Sequence, residues 1–165
     1  MKKFISFLSI LLFVQLISAQ SLPSVSLKSL DGKTVNTAQL SNDGKPFIIS
    51  FFATWCKPCL RELNAINEVY ADWQDETGVK LIAISVDQAQ NTNRVKPLVD
   101  RMGWDYEVLL DANSDFTRAL NINSALIPVV LIVDGNGNIV DRRTGYTDGS
   151  EEHLIEKVRE LISQK

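Results

Sequence analysis

Pro46-Phe47-Ile48-Ile49-Ser50-Phe51-Phe52-Ala53-Thr54-Trp55-Cys56-Lys57-Pro58-Cys59 joins two kinds of chain. Phe47 to Ala53 is a near-continuous apolar run, the pattern of a central β-strand covered on both faces. Past Pro58 the period changes. Leu60, Leu63, Ile66, Val69, Tyr70 and Trp73 recur at threes and fours, which predicts an amphipathic helix with Arg61, Glu62, Asn64 and Asn67 as its polar spacers. Cys56 and Cys59 are the only two cysteines and sit at the junction. Two thiols two residues apart at a helix start can close a small disulfide and reopen it.

The same alternation of patterns runs outward from this junction. Upstream, Val25 to Leu30 alternates apolar and polar, Asp31-Gly32 signals a turn, and Lys33 to Asn36 can return as a second short strand. Downstream, Val79 to Val86 reads as a second buried strand. Val95, Leu98, Val99 and Met102 mark a helix closed by Gly103. Tyr106 to Leu110 is a short strand and Phe116 to Leu120 a brief helix. Pro128 to Asp134 is a third buried strand, turned at Asp134-Gly-Asn-Gly-Asn onto Ile139 to Arg143. A last helix begins near Ser150 with Leu154, Ile155, Val158, Leu161 and Ile162 as its apolar face. Strands alternating with helices predict one layered α/β domain over residues 20–165, with a largely parallel centre.

Residues 1–19 read separately. Lys2-Lys3 precedes an apolar run from Phe4 to Ile17, with Ser18-Ala19 before Gln20, the layout of a cleaved secretory leader. The run is short for a membrane span, which needs about 20 apolar residues; left uncleaved, it would serve as an anchor. The net charge of −3 is the wrong sign for a nucleic-acid surface, and removing Lys2 and Lys3 makes it more negative. Export puts the cysteine pair in an oxidising compartment. A disulfide spanning two residues constrains the unfolded chain little, so a structural staple is a poor account of it. A zinc site needs four ligands, and His153 is the only histidine.

The stretch Phe52 to Cys59 resembles the strand-to-helix active site of the exported TlpA/ResA-like thiol–disulfide oxidoreductases, within the AhpC/TSA and redoxin branch of the thioredoxin superfamily. Val25-Ser-Leu-Lys-Ser-Leu-Asp-Gly-Lys-Thr-Val is similar to their added N-terminal hairpin, and Ile127-Pro128 to their cis-proline position. The resemblance covers roughly residues 22–163. It implies a thioredoxin-like fold: a central mixed sheet flanked by helices, with an N-terminal β-hairpin extension. It also implies a periplasmic monomer that exchanges its dithiol with the thiols and disulfides of partner proteins, acts as a reductant fed by a membrane electron donor, and needs no cofactor.

In that reading Cys56 is the attacking thiolate and Cys59 resolves the mixed disulfide. Lys57 adds positive charge beside Cys56, and Pro58 stiffens the first helical turn. Trp55 shapes the docking surface, and a cis Ile127–Pro128 bond presents the Ile127 backbone to an extended substrate. The proton acceptor is less defined. Cytoplasmic thioredoxins carry a buried Asp six residues before the first cysteine, where this chain has Ser50. Asp87, in the loop after the second core strand, is the acid nearest in pattern, and its other reading is an ordinary loop acid. Two alternatives stand beside the oxidoreductase. A thiol peroxidase would need a Pro-x-x-x-Thr/Ser-x-x-Cys motif, and Ile49 and Ala53 occupy its first and fifth positions. A copper chaperone would need CxxxC and a histidine from a later loop; here the spacing is CxxC and His153 lies on the last helix.

Overall fold

A computed structural model describes residues 20–164; the leader read over residues 1–19 lies outside the described residues. The elements run β1 (Gln20–Ser21), β2 (Ser26–Ser29), β3 (Thr34–Asn36), β4 (Phe47–Phe52), α1 (Lys57–Thr77), β5 (Lys80–Ser85), α2 (Val95–Met102), β6 (Glu107–Leu110), α3 (Asp115–Ala119), β7 (Val129–Val133), β8 (Asn138–Thr144) and α4 (Glu152–Ser163). They form one mixed sheet in the order β1-β8-β7-β4-β5-β6-β2-β3.

The apolar run starting at Phe47 makes β4 the centre, with every residue of the strand buried. It pairs in parallel with β5, Ser50 opposite Ala83, and antiparallel with β7, Ser50 opposite Val130. β5 pairs in parallel with β6. So the centre is parallel on one side of β4 and antiparallel on the other, and the hairpin β7–β8 continues the antiparallel side. Ile49, Phe51, Leu81, Ile82 and Ile84 are almost fully enclosed, because helices cover both faces of strands this apolar.

The N-terminal hairpin is present: β2 pairs with β3, and β2 also docks on β6, extending that edge. One pairing has no counterpart in the sequence reading. β1 lies at the opposite edge, antiparallel to β8 with Gln20 opposite Ile139, so the segment before the hairpin crosses to the far side of the sheet.

α1 runs 21 residues along the sheet. It buries Cys59, Leu63, Ile66, Tyr70 and Trp73 at threes and fours, and one acid with them, Glu62. The helix ends at Gly78, whose φ of 66° lies in the left-handed region that favours glycine. Asn42 Nδ2 donates to the Gly78 carbonyl at 2.8 Å, tying the helix end to the loop before β4. Among the described residues no helix is long and apolar enough to cross a membrane.

Phe51 in β4 packs its ring 5.6 Å from that of Phe116 in α3, and both are fully buried. Phe51→Ala is expected to cost about 3–5 kcal/mol, read as a lower urea midpoint at unchanged slope; a loss under 1 kcal/mol would mean that β4 does not carry the core.

Candidate active site

The end of β4 delivers the chain to α1 through one tight turn. The Cys56 N–H donates to the Ala53 carbonyl at 3.0 Å, and Cys56 then becomes the N-cap of the helix in extended conformation. Its sulfur accepts from the Cys59 N–H at 3.3 Å. A sulfur placed there faces the unpaired N–H groups of the first helical turn, the positive end of the helix. Pro58 sits in that first turn, where the missing N–H costs little. The two sulfurs are joined as a disulfide with the Cα atoms 5.3 Å apart. Access is unequal: Cys56 retains 5% exposure and Cys59 none, so the bond can be approached only from the Cys56 side.

Around that opening the sequence-predicted residues take clear places. Trp55 is 62% exposed, beside the sulfur and outside the core. Lys57 is exposed and its side chain makes no hydrogen bond or ion pair among the described residues. The Ile127–Pro128 peptide is cis, and the Ile127 carbonyl oxygen lies 3.8 Å from Cys56 Sγ. The loop before β7 thus forms the far wall of the site. Leu126, in the same loop, is 59% exposed.

Asp87 lies beneath the turn, not at its mouth. One carboxylate oxygen accepts from the Thr54 N–H at 2.8 Å and from Ser85 Oγ at 2.9 Å; the other accepts from Thr54 Oγ1 at 2.7 Å. Three donors on a buried carboxylate make it a brace that holds the Thr54–Trp55 turn against β5. His153 sits away from the site, on the exposed face of α4, 3.2 Å from Glu156. Among the described residues no three His, Cys, Asp or Glu side chains come together as a metal-ligand set.

The sequence reading missed Glu62. Read as a polar spacer, it is 3% exposed. Its neighbour across the layer is Ser50, whose hydroxyl donates to Glu62 Oε2 at 3.0 Å. Burial is the main reason its carboxyl is pushed up to about 7; the Ser50 hydrogen bond opposes the rise and the charge of Glu151 adds to it. Glu62 stands three residues after Cys59 and four before Ile66, so the helix period places it on the same stripe as the buried cysteine. That spacing was the available signal. The position where cytoplasmic thioredoxins carry an acid holds a serine, and the acid reaches the same layer from the helix. Beside it a cavity of about 500 Å³ opens, lined by Glu62, Val130, Arg143, Tyr146 and Leu154.

Comparison with known proteins decides the family. The AhpC/TSA profile matches residues 19–142. The chain belongs to the AhpC/TSA family. It is 29% identical over 136 residues to the thiol-disulfide oxidoreductase ResA of Halalkalibacterium halodurans, covering 82% of this chain and 72% of that one. A thioredoxin-like protein of Porphyromonas gingivalis, known from a solution structure, is 67% identical, with a TM-score of 0.77 over 87% of this chain and 92% of its own. StoA from Bacillus subtilis shares the fold at 23% identity, TM-score 0.64, over 82% of this chain and 96% of its own. Within the AhpC/TSA family, a CxxC pair at the start of α1 in a thioredoxin-like fold makes this chain a thiol–disulfide oxidoreductase.

Glu62 gives the fold a pH signature. Its folded-state carboxyl holds a proton more tightly than the unfolded chain, whose value is near 4.5. The stability it contributes is therefore complete below about pH 4.5 and is lost as pH rises through about 7. Glu62→Gln should remove about 3 kcal/mol of pH-dependent stability across that window. Urea unfolding of both proteins at pH 4.5 and 8 checks it; parallel pH profiles would place Glu62 in contact with water.

Proposed function

We propose that this chain is an exported reductant of protein disulfides, working as a monomer in the periplasm after loss of residues 1–19 and recharged by a membrane-bound dithiol donor. The observation that supports it best is the unequal access to the two sulfurs at the head of α1. An enzyme that reduces and then releases a partner needs one sulfur that meets the partner and one that meets only the first.

The electron count is simple. In the reduced protein, Cys56 thiolate attacks one sulfur of a partner disulfide. A Cys56–partner bond forms, the partner S–S bond breaks, and the departing partner sulfur takes up a proton. Cys59 then loses its proton and attacks Cys56 Sγ. The Cys56–Cys59 bond forms and the second partner sulfur leaves and is protonated. Two electrons pass to the partner. The helix N-terminus and the Cys59 N–H stabilise charge on Cys56 through the first step. Lys57 adds positive charge on the solvent side, and Pro58 stiffens the turn.

The second step needs a group that can take a proton inside the protein. Glu62 fits: it is buried on the Cys59 stripe, holds one hydrogen bond, and titrates near 7, where both its forms are populated. Asp87 is the positioning residue in this scheme, because both its oxygens already accept hydrogen bonds from Thr54 and Ser85. Trp55 and the Ile127–Pro128 loop are the two walls between which an extended partner segment would lie.

Cys56→Ser should abolish reduction of protein disulfides, while Cys59→Ser should accumulate a mixed disulfide visible by mass spectrometry. Turnover by the Cys56 variant would overturn the assignment. Glu62→Gln should slow closure of the Cys56–Cys59 bond by about a hundredfold and flatten its pH dependence near 7, with the rate of the first attack retained. An unchanged closure rate and pH profile would remove Glu62 from the proton path.

A further inference from the structure

The chain has seven arginines, and the structure engages five of them. Arg61 pairs with Asp148, Arg118 with Asp115, Arg143 with Asp141 and Arg159 with Glu76; Arg142 donates to the carbonyls of Leu120 and Asn121. The side chains of Arg94 and Arg101 make no hydrogen bond or ion pair among the described residues. Both line the same groove, about 510 Å³ in volume, that opens against Thr54 and Trp55 beside the disulfide. The acid next to Arg101 does not neutralise it, since both oxygens of Asp100 bond Lys96. Asp87, under Thr54, is buried and turned to its own donors. No acidic residue lines the groove.

The helix that carries the pair does not account for it. Arg94, Pro97, Leu98 and Arg101 follow the spacing of a single helical stripe, so the wall of the groove is an apolar middle with a cation at each end. Arg94 occupies the N-cap of α2 and makes no capping hydrogen bond. Arg94 also ends a 3-10 helix, Ala89–Arg94, that runs directly into α2, and the Val95 N–H bonds the Thr92 carbonyl, so that junction is held by backbone and does not use the guanidinium. Seven residues of helix separate the two guanidinium-bearing positions by about 10 Å. A polyproline II segment, with three residues per turn and a rise of about 3.1 Å per residue, covers that distance in about three residues and returns side chains i and i+3 to one face.

We infer that the groove between Trp55 and α2 is a recognition site for acidic side chains of the partner protein, carried about three residues apart in a segment of polyproline II conformation next to the target cysteine. Arg94 and Arg101 take the two carboxylates, and Trp55, Pro97 and Leu98 take the apolar residue between them. Net charge does not produce this preference: at −3 the chain as a whole repels an acidic partner, so the selection is local to the groove. The inference deepens the proposed function and rests on it.

The test uses two peptides, each with one internal disulfide flanked on one side by Glu-x-x-Glu or by Gln-x-x-Gln. The reduced full chain acts on each, and every rate is divided by that of dithiothreitol on the same peptide. The wild type should reduce the Glu peptide about tenfold faster than the Gln peptide at low ionic strength, with the advantage fading in salt. A Glu-to-Gln rate ratio near one in Arg94→Gln/Arg101→Gln, and below one in Arg94→Glu/Arg101→Glu, would support the site. A wild-type ratio near one, or a ratio that survives charge reversal, would overturn it. A small uncharged disulfide separates the two layers of the argument. If the wild type reduces it without discriminating the peptides, the groove assignment alone fails. If the wild type reduces none of the three, the reductant reading fails and takes this inference with it.

Discussion

The hydrogen bond from the Cys59 N–H to Cys56 Sγ ties the more accessible sulfur to the start of a 21-residue helix. A thiol at the surface of a loop would have an ordinary pKa and no fixed partner. Here the sulfur replaces the usual oxygen of an N-cap, so the helix end that needs an acceptor and the sulfur that needs positive surroundings satisfy each other. That contact holds only while β4 stays where it is. The strand is buried along its whole length and paired on both sides, which fixes the Ala53 carbonyl that receives the Cys56 N–H. Asp87 braces the same turn from β5. Three elements thus converge on one sulfur, and the cis Ile127–Pro128 loop closes the fourth side.

The second constraint is electrostatic. An acid in the core normally destabilises a protein, and Glu62 does so above its raised titration point. Its single hydrogen-bond partner, Ser50, lies in the central strand. A well-packed apolar pair at these two positions would favour folding more. The arrangement makes sense if the cost maintains a proton acceptor next to a cysteine that water does not reach. This departure from good core chemistry lies within one helical turn of Cys59.

Legibility followed the range of the forces involved. β4, β5 and β7 were readable because a strand covered on both faces shows as an apolar run, and α1 because its stripe repeats every three to four residues. The two cysteines were readable from spacing. Trp55 could have been core or surface; its exposure comes from the turn geometry that follows Phe52. Glu62 was hidden because a charged residue in a helical pattern is ordinarily on the solvent face, and only its interval from Cys59 argued otherwise. β1 could not be foreseen at all: two residues carry no pattern, and their pairing with β8 is made across more than a hundred residues of chain. The arginine groove escaped because it joins α2 to the Thr54–Trp55 turn, which only the tertiary fold brings together.

A redox titration of the full chain puts the whole scheme at risk. The protein would be equilibrated in dithiothreitol buffers of stepped ratio, approached from both the reduced and the oxidised side, and its free thiols counted by alkylation and mass. A reversible switch gives two thiols that appear together in one two-electron transition, with the same midpoint from either direction. A pair that stays closed in excess dithiothreitol, or two thiols that never rejoin in oxidised buffer, would contradict it.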